Sequence, residues 1–203
     1  FLRNVTNLEA MAAKDKDFED TRPIIRITVP GDKAVNFTAQ IQGADGGSFG
    51  NVVQGTVPAG STKDFPVEDL TNGNYAVTIA ADVPIVASVR YNRLLGNTPD
   101  FAWAQSVNQS KLDAGFTAAP GATSKLSMVN ATAKPATVSV GGTKYKIDAN
   151  SNLMIALTAG RHYSIVSSSE VSASQVVDVN GGVAVVPVLD FQSVGGKLKV
   201  TVR

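Results

Sequence analysis

No cysteine occurs among the 203 residues, which removes disulfide stapling, thiolate nucleophiles and cysteine-based zinc sites from consideration. The absence leaves the compartment open, since a secreted chain can do without disulfides. Charge is also scarce: 17% of the residues are Asp, Glu, Lys or Arg and the formal net charge is +1, against about 25% charged in ordinary domains. The basic residues are scattered, so the dense cationic face that nucleic acid requires is missing and nucleic acid is not an expected partner. No run of about 18 apolar residues could span a bilayer. The chain starts at Phe1 with no Met and no signal peptide, and reads as an excised piece of a longer one. A membrane is therefore expected as a partner only through a segment outside this fragment.

Ala, Val, Ser, Thr and Gly dominate instead, a balance that suits short strands and turns. Leu70-Thr71-Asn72-Gly73-Asn74-Tyr75 is echoed by Leu157-Thr158-Ala159-Gly160-Arg161-His162-Tyr163. The echo stays in step, because Tyr75 stands as far from Asp82-Val83 as Tyr163 does from Glu170-Val171. A fixed-period echo of this kind predicts one β-rich unit written twice. Residues 1–22 are expected as an N-terminal arm, with Leu8, Met11 and Ala12 spaced like one side of a short helix. Residues 23–110 are expected as a first β-sandwich unit, 111–122 as a linker with Gly115, Pro120 and Gly121, and 123–203 as a second unit. Alternation marks the strands: Ile25, Ile27 and Val29; Val35, Phe37, Ala39 and Ile41; Tyr75, Val77 and Ile79; then Tyr145 and Ile147, and Leu153, Ile155 and Leu157. Lys197, Lys199, Thr201 and Arg203 alternate with Leu198, Val200 and Val202 as a last strand. The expectation is all-β: two tandem immunoglobulin-like sandwiches of about seven strands each.

Candidate chemistry is thin. The single histidine, His162, lies beside the repeated turn, and no Gly-X-Ser-X-Gly elbow supplies a nucleophile for it, so no catalytic residue is assigned and no enzyme is expected. Asp64, Glu68 and Asp69 form an acidic group that reads as a solvated strand edge. Asp45-Gly46-Gly47-Ser48 and Asp178-Val179-Asn180-Gly181 offer too few side-chain oxygens for calcium and read as turns. No metal and no cofactor is expected. The Asn-X-Ser/Thr triplets at Asn4, Asn36, Asn108 and Asn130 are no more than abundant Ser and Thr produce by chance.

The most distinctive stretch runs from Arg90 to Trp103. Ile85 to Tyr91 and Phe101 to Val107 read as a hairpin joined by a long loop, Asn92 to Asp100, much longer than the Asn180-Gly181-Gly182 turn of the second unit. With the only Trp, a Tyr and two Arg, it carries the residue types that dominate contact hot spots and stack on sugars. Arg90, Tyr91, Arg93 and Trp103 are the candidate binding residues. The competing reading has Phe101 and Trp103 take turns as core and edge residues, with Arg90 over an aromatic face.

Val57-Pro58-Ala59-Gly60-Ser61-Thr62, Leu70 to Tyr75, Asp82-Val83-Pro84-Ile85-Val86-Ala87 and Asp100-Phe101-Ala102-Trp103 resemble a family of secreted or envelope-attached actinobacterial proteins of unknown function that pair two β-rich repeats. The likeness runs through most of the first unit and fades in the second, where the Trp motif is missing. It implies an exported, non-enzymatic protein and transfers no catalytic residues. The expected role is thus a non-catalytic extracellular or cell-envelope module that binds a glycan or an envelope protein. The alternative is a spacer or adhesin stalk with no small-molecule ligand.

Overall fold

The computed structural model describes residues 23–43, 49–68, 70, 75–95, 98–179 and 182–190. The expected arm and the expected last strand lie outside them, as does most of the Asp45 loop. The chain is all-β, with several antiparallel sheets and, among the described residues, no helix.

Seven strands build the first half: β1 (Ile24–Thr28), β2 (Val35–Gly43), β3 (Phe49–Val57), β4 (Thr62–Pro66), β5 (Tyr75–Ala81), β6 (Val86–Leu95) and β7 (Thr98–Gln105). They form one sheet of order β4-β1-β6-β7 and a second of order β3-β2-β5. Side chains alternate across a pleated strand, so the apolar set of each sheet falls on one face. Ile25, Ile27, Ala87, Val89 and Tyr91 come from the first sheet. Val35, Phe37, Ala39, Ile41 and Tyr75 come from the second, and all of them join one buried core. The β3–β4 turn needs Gly60, whose φ of 63° lies in the left-handed region, and Ser61 Oγ donates to the Pro58 carbonyl at 2.7 Å to close it. Beyond β5, the Asp82 carboxylate accepts from the backbone N–H and the side-chain amide of Asn36, both at 2.9 Å. These two bonds, the backbone one first, hold its pKa below the ordinary 3.8.

The second half holds β8 (Ser110–Thr117), β9 (Thr123–Asn130), β10 (Ala136–Val140), β11 (Thr143–Ile147), β12 (Ser151–Leu157), β13 (His162–Val179) and β14 (Gly182–Val188). The expected linker at 111–122 is a correction. Its first part is β8, which pairs with β13 and sends Leu112 and Ala114 into the second core. β13 runs 18 residues and serves both sheets. Its first stretch pairs with β8 and β10, its last with β9 and β14. The register shifts between Val166 and Glu170. There Ser167 Oγ accepts from Leu112 N–H at 2.8 Å and donates to the Ser169 carbonyl at 2.7 Å, occupying backbone groups that the irregular ladder cannot pair. The order β12-β9-β13-β14 of the second half parallels β4-β1-β6-β7 of the first, and β11-β10-β13 parallels β3-β2-β5.

The halves are joined by more than the chain. Val183 and Val185 of β14 pack against the first core, and Val183 N–H donates to Asp100 Oδ2 of β7 at 2.8 Å. Asn152 Nδ2 of β12 reaches the carbonyls of Gln42 and Gly43 at 3.3 and 3.1 Å.

Candidate functional site

The ladder of β6 with β7 continues to the pair Leu95 and Thr98. The long loop expected from Asn92 to Asp100 is therefore strand for most of its length, with Arg93 opposite Asp100 and Asn92 opposite Phe101. The β13–β14 hairpin closes at the same separation, with Val179 opposite Gly182, so the difference in length expected between the two hairpins does not exist.

Register places side chains of four strands in rows across the outer face of the β4-β1-β6-β7 sheet. One row reads Pro66, Ile24, Arg90, Trp103, and the next Asp64, Arg26, Ser88, Gln105. Phe101 stands two residues before Trp103 on the same face and is 57% exposed, while Val86 on β6 is 60% exposed. Phe101 and Trp103 thus do not alternate between core and edge. They point the same way, and Ala102 between them packs against the core. The Arg26 guanidinium reaches past the small Ser88 to lie 4.5 Å from the Trp103 ring centre. It is held there by Asp64, which accepts from Nε and Nη2 at 2.7 Å each. That forked geometry is the strong form of the Arg–carboxylate pair, although its partial exposure keeps its worth to about 1 kcal/mol or less. The Arg90 guanidinium lies 5.9 Å from the Phe101 ring, with the residue only 8% exposed.

The four sequence candidates therefore separate. Arg90 and Trp103 are register partners on the outer face. Tyr91 is a correction: one residue on from Arg90, it faces inward by strand alternation, is 2% exposed and belongs to the first core, so its ring cannot serve as a surface contact. Arg93 lies in β6, and its side chain lies outside what is described. The sequence reading missed Arg26; it placed Asp64 on a solvated strand edge, where it lies, but did not reveal its pairing with Arg26. The available signal was their placement on the wet faces of strands, but which strands become neighbours is a long-range fact that alternation does not carry.

Away from this face, Tyr163 stacks on Phe116 with ring centres 5.6 Å apart. Its hydroxyl accepts from Thr158 N–H at 2.9 Å, pinning the repeated turn. The bonding to Thr158 holds the phenol below its ordinary pKa, helped by Arg161. His162 Nδ1 pairs with Thr117 Oγ1 across the β8–β13 ladder at 2.7 Å. Among the described residues no three His, Asp or Glu side chains form a group that could hold a metal ion, and no helix is long and apolar enough to cross a membrane.

Residues 6–186 match DUF5719, a family of unknown function. The chain belongs to this family. The match takes in strands of both halves of the chain, from within the expected arm into β14. No curated protein and no solved structure matches the chain.

Proposed function

We propose that the chain is a non-catalytic binding module of the cell envelope or extracellular space, built from two related immunoglobulin-like sandwiches, which lays the outer face of its β4-β1-β6-β7 sheet against a glycan. The observation that carries the reading is exposed Phe101 beside Trp103 on a face formed by four paired strands, with Arg26, Asp64 and Arg90 around the rings. The C–H faces of a sugar pack on aromatic rings, and its hydroxyls bond to carboxylate and guanidinium groups, which make stronger hydrogen bonds than neutral ones. The matching strand orders of the two halves support a duplicated module. Low charge with abundant Ser, Thr and Ala, and the resemblance to exported actinobacterial proteins, support the location. An exposed apolar patch on an otherwise polar surface is a common mark of a contact site.

One observation favours the second reading, a spacer or stalk. Arg26 already covers part of the Trp103 ring, and β14 braces β7, so the face and the joint between the halves could serve rigidity alone.

Trp103 is the only tryptophan, which makes its fluorescence a direct probe. Arg26→Ala should raise its quenching by acrylamide while changing stability by less than about 1 kcal/mol. A panel of cell-wall polysaccharides should include one that protects Trp103 from quenching. Binding of that polysaccharide should weaken by about 2 kcal/mol or more in Phe101→Ala, as at a contact hot spot. If no polysaccharide alters the quenching and Phe101→Ala changes nothing, the spacer reading replaces this one.

A further inference from the structure

The first sandwich is closed along one side, where β3 turns into β4, and open along the other, between the edge strands β5 and β7. The outer face of the β12-β9-β13-β14 sheet is laid across that opening. Val183 and Val185 of β14 pack against the first core, and Asn152 of β12 bonds to the end of β2.

The first half carries the same face without a cover. Its β6–β7 hairpin and the β13–β14 hairpin close on equivalent pairs, Leu95 with Thr98 and Val179 with Gly182. Along the two ladders Phe101 therefore falls at the place of Val185, and Trp103 at that of Pro187. On the neighbouring strands Arg26 takes the place of Val129, and Asp64 that of Asn152. Val185 is part-buried in the joint, whereas Phe101 is 57% exposed. An exposed ring at a position that the fold elsewhere buries against a like unit marks a contact surface.

The second half carries the matching opening. In the first half Ala102 of β7 faces inward and, like Val183 and Val185, packs against the first core. Val186 stands at the equivalent place on β14, opposite buried Gln175, yet is 52% exposed. The opening it borders lies between β8 and β14, because β8 extends the edge that β5 forms in the first half. Arg26 and Asp64 would enter it as an ion pair and not as two lone charges. The bond from Val183 N–H to Asp100 has no counterpart there. Pro99, at the place of Val183, has no N–H, and Ala184, at the place of Asp100, has no side-chain acceptor, so neither is left without the other.

We propose that the Phe101 face is a docking surface for a second copy of this chain, whose second sandwich receives it at Val186 as the first sandwich receives Val185. The contact joins two different surfaces, so copies add head to tail in a row unless the rotation between them closes a ring. It goes beyond the glycan reading and uses the same face. A copy and a glycan therefore compete for Phe101.

The test is sedimentation velocity of the full chain at rising concentration. Species larger than a monomer are expected to make up half of the material below about 1 mM. Phe101→Glu and Val186→Glu should each hold the chain monomeric at that concentration. An equimolar mixture of the two should form a one-to-one dimer and nothing larger, because the first variant keeps the opening and the second keeps the face. Absence of association in the unmodified chain, association that survives in Val186→Glu, or a mixture that stays monomeric would each overturn the proposal. Should either variant fail to unfold cooperatively on heating, Trp103 of the unmodified chain decides. Protection from acrylamide that grows with chain concentration supports the docked face, and quenching independent of concentration overturns it. Glycan binding is read separately in Val186→Glu, whose Phe101 face is intact. A polysaccharide that binds there while the unmodified chain stays monomeric removes this proposal and leaves the glycan reading standing; association with no polysaccharide bound does the reverse.

Discussion

Asn130→Ala is expected to destabilise the second half by roughly 3–5 kcal/mol, a large fraction of the ~5–15 kcal/mol that holds a domain folded. Asn130 is fully buried, and its amide is the hub of a turn. Nδ2 donates to the carbonyls of Lys134, Ile147 and Asp148 at 2.8, 3.3 and 2.9 Å. Oδ1 accepts from the N–H and the hydroxyl of Thr132 at 3.0 and 2.7 Å. Alanine would leave several of these groups without a partner in a place water reaches poorly, and the cost of an orphaned buried group exceeds the net worth of the bond it loses. The measurement is urea unfolding with the midpoint compared at constant slope. A shift worth less than about 1 kcal/mol would mean that the turn re-forms its bonds without the amide. The same geometry settles the Asn130-Ala131-Thr132 triplet. Both of the side chains that a glycosylating enzyme must engage are tied into the fold, so this position accepts no sugar in the folded chain.

Gly55→Val is the second large effect, expected to cost about 3 kcal/mol or more, with Gly55→Ala at about 1–3 kcal/mol. A Cβ at Gly55 would stand 2.5 Å from Phe65 Cε1 and 3.1 Å from Phe37 Cε1. The two rings are themselves packed edge to face, with centres 4.7 Å apart, and Phe37 is held inside the first core. Phe65 would therefore have to leave its position and open the β3–β4 side of the sandwich. Phe65→Leu should make Gly55→Ala less costly than it is alone, a coupling that a double-mutant cycle reads directly. Simple additivity of the two changes would show that the steric account is wrong.

Much of the fold could be read from alternation alone. Val35, Phe37, Ala39 and Ile41 do line one face of β2, and Tyr145 and Ile147 do alternate with lysines on β11. Among the strands missed, β8 and β3 were missed for physical reasons. β8 has the right period, but its inward positions include Ala114 and its outward ones Gly115, residues too small to mark a face. β3 places Val52 and Val53 side by side and then Gly55, and there the glycine is small because Phe65 needs the space. The candidate site was legible only as a hairpin. Arg90 and Trp103 are local to it, whereas Arg26 and Asp64 arrive from β1 and β4, and the pairing of strands that distant in sequence is decided by the whole core.

The shared strand β13 also fixes an order of events during synthesis. The sheets of the first half close among strands that end at Gln105, so these can pair while the rest of the chain is still being made. In the second half β8, β9 and β10 each wait for β13 as a lengthwise neighbour. β8 gains its ladder only once His162 to Val171 have left the ribosome, β10 has only β11 until Ile165 to Ser167 are out, and β9 has only β12 until Ser172 to Asp178 have emerged. Such long-range closure is slow, and it makes the second half condense late, onto a first half whose sheets can already have formed, with the apolar residues of β14 arriving after β13.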